Sequence, residues 1–126
     1  MSWEIKGDRP VYAQLVEIIG QKIIKNEFPP DSKLPSVRDL AAMAEVNPNT
    51  MQKALVELET EGLISSVRTT GKYVTNDVDL IENYKRKLAV KELGAFVRKM
   101  KDLGFQVEEI KQLVDKEIND GNSFRN

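Results

Sequence analysis

Hydrophobic residues recur at helical spacing near the start of the chain and predict a first helix. The positions on its apolar face are Val11, Tyr12, Leu15, Ile18, Ile19 and Ile23. Pro10 stands where the first turn of a helix tolerates proline. Because the residue before a proline avoids the helical region, we expect this helix to stop before Phe28-Pro29-Pro30.

Two shorter helices follow, and each begins with a capping residue. Ser36 is a good N-cap for a second helix over residues 37–44, and Asn47-Pro48 supplies a cap and a first-turn proline for a third. A tight turn at Glu45-Val46 joins the two helices. Gly62 should end the third helix as a left-handed residue. The predicted buried positions are Val37, Leu40, Ala41, Ala44, Met51, Ala54, Leu55 and Leu58.

A β-hairpin is predicted after the third helix. Residues 63–67 and 72–75 are rich in strand-forming side chains and flank the sequence Arg68-Thr69-Thr70-Gly71. Gly71 can adopt the positive φ that such a turn usually needs. Two helices joined by a short turn and followed by a hairpin form a winged helix-turn-helix. The predicted fold class is therefore α+β, with a winged helix-turn-helix domain over residues 1–76.

Residues 77–126 show only helical periodicity, with a break at Gly104. Two amphipathic helices of this length make a poor independent core, so their apolar faces need a cover. The N-terminal domain and a second copy of the chain are the two alternatives, and the amount of apolar surface favours the second copy. We therefore predict a two-helix dimerisation segment, with candidate contacts at Tyr84, Leu88, Phe96, Met100, Phe105 and Ile110.

Composition excludes several classes of function. The 126 residues include no His and no Cys, which removes the usual general base, thiolate chemistry, disulfides and the commonest metal ligands. We therefore predict no enzyme, no cofactor and no metal site. The sequence contains no apolar run long enough to cross a membrane and opens with no secretory leader, so we expect a cytoplasmic protein.

Charge alone does not predict nucleic-acid binding, because 19 Lys and Arg face 20 Asp and Glu. The prediction rests instead on the helix that begins at Asn47, whose first turn offers unpaired N–H groups and amide side chains suited to base edges. Cations on the preceding helix and at the hairpin tip suit phosphates. We expect the carboxylates Glu17, Glu57, Glu59 and Glu61 to lie mostly on faces away from DNA. The candidate DNA contacts are Ser36, Arg38, Asn47, Asn49, Thr50, Gln52, Lys53, Arg68, Thr69, Gly71 and Lys72.

Four segments in the first part of the chain resemble the DNA-binding domain of the GntR superfamily of transcription regulators. They are Pro10-Val-Tyr-Ala-Gln-Leu, Leu34-Pro-Ser-Val-Arg-Asp-Leu-Ala, Val46-Asn-Pro-Asn-Thr-Met-Gln-Lys-Ala and Leu58-Glu-Thr-Glu-Gly-Leu-Ile. The short helical tail resembles the YtrA-like branch. The resemblance implies DNA contacts at Ser36, Arg38, Asn47, Asn49, Thr50, Gln52 and Gly71, and dimerisation through the tail.

The chain departs from the family pattern at several positions. Lys53 stands where close relatives often have arginine, and Glu45 replaces a frequent glycine, which brings an anion near the third helix. The sequence Pro30-Asp31 lacks the customary glycine of the preceding turn. The hairpin tip has one glycine fewer than the usual Arg-x-Gly-Lys-Gly-Thr-Phe.

These observations lead to one main hypothesis and one alternative. The main hypothesis is a homodimeric transcriptional regulator, a repressor, that binds a palindromic operator in double-stranded DNA. The alternative is a winged-helix module that docks a partner protein, motivated by the near-neutral charge. An unknown small-molecule effector is left open, because no polar constellation in the tail identifies a ligand.

Overall fold

The computed structural model describes the backbone of residues 3–125 and the side chains of residues 3–120. The chain folds into two compact units, and the boundary between them lies inside the fourth helix, between Lys85 and Arg86. The elements are α1 (Val11–Ile24), α2 (Val37–Ala44), α3 (Pro48–Thr60), β1 (Ile64–Val67), β2 (Gly71–Val74), α4 (Val78–Asp102) and α5 (Val107–Arg125). Their order confirms the predicted α+β winged helix-turn-helix followed by a helical segment.

The core of the N-terminal unit lies where α1 and α2 both pack against α3. Strand β1 also contacts α3, and the hairpin closes one side of this core. Most positions on the predicted apolar faces of α1, α2 and α3 are buried. Val11 is 37% exposed at the start of α1, and Tyr12, Ile18 and Val37 are half-buried. The most deeply buried large side chains are Leu15, Ile19, Ile23, Leu40, Met51, Leu55, Leu58, Leu63 and Val74.

Four helices end in the same left-handed turn, in which one N–H donates across six residues to close the helix. The residues at the left-handed position are Asn26, Glu45, Gly62 and Gly104, with φ values of 64°, 57°, 84° and 97°. After α2, for example, the N–H of Val46 donates to the carbonyl of Ala41 at 3.0 Å. The predicted roles of Gly62 and Gly104 are confirmed. Helix α1 ends at Ile24, earlier than the prolines require, because Asn26 already turns the chain.

The hairpin is extended by the segment that precedes α2. Within the hairpin, Ile64 pairs with Val74 and Val67 with Gly71, in antiparallel register. The N–H of Leu34 donates to the carbonyl of Lys72 at 2.8 Å, and the N–H of Val74 donates to the carbonyl of Ser32 at 2.9 Å. The connector over residues 32–34 therefore pairs with β2 through one isolated bridge, between Lys33 and Tyr73, and fixes the hairpin beside the start of α2.

The first two turns of α4 belong to the N-terminal unit. Leu80, Ile81 and Tyr84 are half-buried against its core. A Cβ atom on Gly20 of α1 would lie 2.5 Å from the Tyr84 hydroxyl, so only glycine permits this approach. Burial raises the pKa of Tyr84 above its ordinary value. The N-terminal unit thus extends to Lys85, beyond the boundary at residue 76 that the sequence suggested.

The C-terminal unit consists of the remainder of α4 and α5, joined by the turn at Gly104. Ile110 is its one buried hydrophobic residue within residues 86–120, at 5% exposure. Most of its other large apolar side chains are exposed. No helix within residues 3–125 is both long enough and apolar enough for a bilayer crossing.

Candidate nucleic-acid interface

Helix α3 presents its N-terminal turn to solvent. The side-chain oxygen of Asn47 accepts a hydrogen bond from the N–H of Asn49 at 2.7 Å, which caps the helix. Asn49 and Gln52 are exposed, and Thr50 is half-buried. Amide side chains of this kind can donate to and accept from the edge of an adenine. The turn therefore has the exposure and the chemistry that contact with base pairs requires.

Helix α2 supports this turn and adds a second capped N-terminus. The hydroxyl oxygen of Ser36 accepts a hydrogen bond from the N–H of Asp39 at 3.0 Å. Arg38 follows in the first turn and is exposed. The left-handed Glu45 joins α2 to α3, and the two helices pack together as in a helix-turn-helix.

The wing tip and the start of α2 line one groove of about 500 Å³. The groove brings together three of the predicted contacts, Ser36, Gly71 and Lys72. Arg68 and Thr69 are exposed at the tip of the hairpin. Gly71 has the positive φ that the sequence predicted, at 127°, and Thr69 is also left-handed, at 67°.

Lys72 does not extend freely from the wing. Its ammonium group donates to a carboxylate oxygen of Glu59 at 2.6 Å and to the hydroxyl of Ser66 at 2.7 Å. The hydrogen bond from Lys72 lowers the pKa of Glu59 below its ordinary value. Glu59 therefore lies against the wing, which corrects the expectation that this carboxylate faces away from the DNA-binding surface. The pair anchors β2 to α3 and neutralises the Lys72 charge.

Lys53 is held by an aromatic ring. Its ammonium nitrogen lies 3.9 Å from the centre of the Tyr12 ring on α1, within cation–π distance. Lys53 is exposed, so its ammonium group can still approach a phosphate or a guanine. The sequence did not predict this role for Tyr12, because it depends on how α1 crosses α3.

Lys33 lies in the same groove and was absent from the predicted contacts. Its stem passes over Gly71, where a Cβ atom would lie 3.0 Å from Lys33 Cε. Lys33 is exposed and lines the groove with Ser36 and Lys72. Its position immediately before the Leu34-Pro35-Ser36 motif was the only signal available in the sequence.

The C-terminal unit has an apolar groove of about 690 Å³ between α4 and α5. Phe96 and Met100, two of the predicted dimer contacts, line it, together with Leu93, Leu113 and Ile118. The other predicted contacts are distributed differently: Leu88 is half-buried, Phe105 is 36% exposed, Ile110 is buried within its own unit, and Tyr84 packs against α1. The apolar cover for Tyr84 and Ile110 thus comes from the chain itself.

The described residues contain no cluster of acidic side chains placed to hold a metal ion. An exposed, capped helix N-terminus supported by a second helix and flanked by a β-hairpin defines the winged helix-turn-helix class of DNA-binding proteins. Residues 11–74 match the family described as "Bacterial regulatory proteins, gntR family". The chain belongs to this family and to its YtrA-like branch, and it is a transcriptional regulator, not an enzyme.

Two curated relatives from Bacillus subtilis (strain 168) resemble most of the chain. The uncharacterized HTH-type transcriptional regulator YhcF is 34% identical over 110 residues, which are 87% of this chain and 91% of that protein. The HTH-type transcriptional repressor YtrA is 35% identical over 98 residues, 78% of this chain and 71% of that protein.

Two solved structures extend the comparison. A GntR family transcriptional regulator from Listeria monocytogenes has a TM-score of 0.83 and 38% identity, covering 89% of this chain and 98% of that one. The DNA-binding domain of AraR in complex with operator ORX1 has a TM-score of 0.54 and 29% identity, covering 60% of this chain and 95% of that one.

Proposed function

We propose that this regulator is a cytoplasmic repressor that binds an inverted-repeat operator as a homodimer. The observation that carries the proposal is the exposed N-terminal turn of α3, with the side chains of Asn49 and Gln52 open to solvent. The operator complex of the AraR DNA-binding domain supports a DNA ligand for a unit of this shape. The name of the relative YtrA, a repressor, supports the direction of regulation.

In the proposed complex, α3 lies in the major groove with its first turn toward the bases. Asn49 and Gln52 contact base edges, while Thr50 and Asn47 contact the sugar-phosphate backbone beside them. Arg38 and Arg68 bind phosphates on either side of the groove, and the tip residues Thr69 and Gly71 approach the minor groove or its edge. Few cations are available, so the affinity for random DNA should be modest and the salt slope smaller than that of a strongly basic domain.

The homodimer is supported by the unpartnered apolar face of the C-terminal unit. Leu93 is 60% exposed and Ile118 is 56% exposed, and both line the apolar groove between α4 and α5. A contiguous apolar surface of this kind is typical of an interface, because water contact with it is unfavourable. A second copy of the same face supplies a matching cover with two-fold symmetry, and such symmetry suits an inverted-repeat operator.

Selection of DNA from a random duplex library, followed by footprinting on the selected sequence, tests the operator. The proposal predicts an inverted repeat whose half-sites lie about one helical turn apart. Sedimentation of the protein with and without that duplex should give two chains per duplex. Selection of no sequence, or protection of a single half-site by one chain, would contradict the proposal.

A small-molecule effector stays a prediction that the same footprint can test with candidate ligands.

The protein-docking alternative predicts a different dependence on salt. If the winged unit docks a partner protein in place of DNA, binding to duplexes should be weak and should not rise steeply as salt is lowered. Operator binding that falls with increasing salt, with a slope set by phosphate contacts, supports the DNA-binding proposal.

A further inference from the structure

The wing carries two lysines close together, and the structure gives them different surroundings. Lys72 donates to Glu59 and Ser66, and the carboxylate of Glu59 itself accepts a hydrogen bond from Ser66 at 3.0 Å. The three side chains are hydrogen-bonded to one another, and the carboxylate of Glu59 cancels the charge of the Lys72 ammonium group. A phosphate that approaches Lys72 must compete with a carboxylate at 2.6 Å.

Lys33 has no such partner. Among the residues that the structure describes, no carboxylate lies within 4.0 Å of its ammonium nitrogen. Asp39 lines the same groove but does not form an ion pair with Lys33. Of the two wing lysines, Lys33 is therefore the one whose charge no described carboxylate cancels.

The backbone also fixes where Lys33 lies. The bridge between Lys33 and Tyr73 and the hydrogen bond between Leu34 and Lys72 tie the connector to β2. Because Gly71 has no side chain, the aliphatic part of Lys33 can pack over it. The ammonium nitrogen of Lys33 lies 3.9 Å from the position that a Cβ atom on residue 71 would take. The ammonium group is thus held at the wing, beside the capped start of α2, in an exposed position.

We propose that Lys33 is the wing lysine that binds the operator phosphate backbone, while Lys72 is a positioning residue that anchors the wing to α3 through Glu59. The inference rests on the proposed DNA-binding function and assigns within it a contact that the sequence motifs did not include. The ligand is a backbone phosphate of duplex DNA, which a compact ammonium group binds as a point charge.

The test measures operator affinity as a function of KCl concentration for the full chain and for Lys33→Ala, Lys33→Arg and Lys72→Ala. Each phosphate contact contributes about 0.9 to the slope of log affinity against log salt on duplex DNA. Lys33→Ala should lower the slope by about that amount for each half-site, weaken binding several-fold at low salt, and leave the thermal midpoint unchanged. Lys33→Arg should restore the slope.

Lys72→Ala should behave in the opposite way, with a lower thermal midpoint and an unchanged slope. Lys25→Ala, which removes an exposed lysine just after α1, is the matched control and should change neither quantity. An unchanged slope in Lys33→Ala would overturn the inference. An equal loss of slope in Lys72→Ala would also overturn it, because Lys72 would then leave Glu59 on binding. If the wild-type protein binds no duplex at any salt concentration, the proposed function itself fails.

Discussion

Replacing Glu45 with glycine should stabilise the protein and strengthen its binding to DNA. Glu45 closes α2 in a left-handed conformation, with φ 57° and ψ 49°. Of the four helix ends with this geometry, two have glycine and one has asparagine, residues that tolerate it. Glu45 carries a Cβ atom and lacks the short amide side chain of asparagine. It is exposed and stands two residues before Asn47, the cap of α3.

The expected gain follows from two opposing terms. A residue with a Cβ atom loses about 1–2 kcal/mol in the left-handed region. Glycine offsets about 0.5–1 kcal/mol of this gain, because the unfolded chain has more conformational freedom at a glycine and loses more of it on folding. The net stabilisation is about 0.5–1 kcal/mol, which corresponds to a rise of about 2–8 °C in the thermal midpoint of a unit of this size.

Glu45→Gln is the matched control, because it removes the charge and keeps the Cβ atom. Thermal unfolding followed by circular dichroism should show a higher midpoint for Glu45→Gly and no increase for Glu45→Gln. Operator titrations should show that both variants bind more tightly than wild type, since both remove an anion near the phosphates. A glycine variant no more stable than the glutamine variant would refute the backbone argument. Unchanged affinity in both variants would refute the electrostatic argument.

Three further predictions concern the contacts that hold the interface and the tail. Tyr12→Leu should weaken operator binding by no more than about two- to fivefold, because Lys53 loses the ring that positions its ammonium group, through a contact worth about 0.5–1 kcal/mol. Tyr12→Phe keeps the ring and should bind as wild type does; equal loss in both variants would exclude the ring as the cause. Because the pKa of Glu59 is lowered in the folded state, its stabilisation is full above the ordinary carboxyl pKa and is lost as pH falls through the lowered value. The difference in thermal midpoint between wild type and Glu59→Gln should therefore shrink on acidification, and a difference that grows would contradict the assignment. Phe96→Glu should convert the proposed dimer to monomers in sedimentation, while Lys91→Glu on the same helix should not; a dimeric Phe96→Glu variant would place the interface elsewhere.

Local signals in the sequence were sufficient for the order of the elements. The caps at Ser36 and Asn47 and the glycine at Gly62 act on their own helix ends, so their effects can be predicted from neighbouring residues alone. Hydrophobic spacing likewise predicted which faces of α1, α2 and α3 are buried, because burial follows the helical period. The break at Gly104 was predictable for the same reason.

Contacts between distant segments were not predictable in this way. The pairing of Glu59 with Lys72 joins residues 13 apart, and depends on how the hairpin returns across α3. The place of Lys33 beside Gly71 depends on the connector pairing with β2, and no periodic pattern marks a pairing of so few residues. Tyr84 was assigned to a dimer interface because its apolar spacing continues that of α4, whereas the structure packs it against Gly20.

The central claim is that the first turn of α3 contacts base pairs, and a base-by-base substitution scan of the operator tests it most directly. Affinities of wild type and Asn49→Ala should be measured for duplexes that carry each single base-pair change. The account predicts that Asn49→Ala loses about 1–3 kcal/mol of discrimination at one position in each half-site and keeps wild-type preferences elsewhere. An identical pattern of preferences for the two proteins would contradict it.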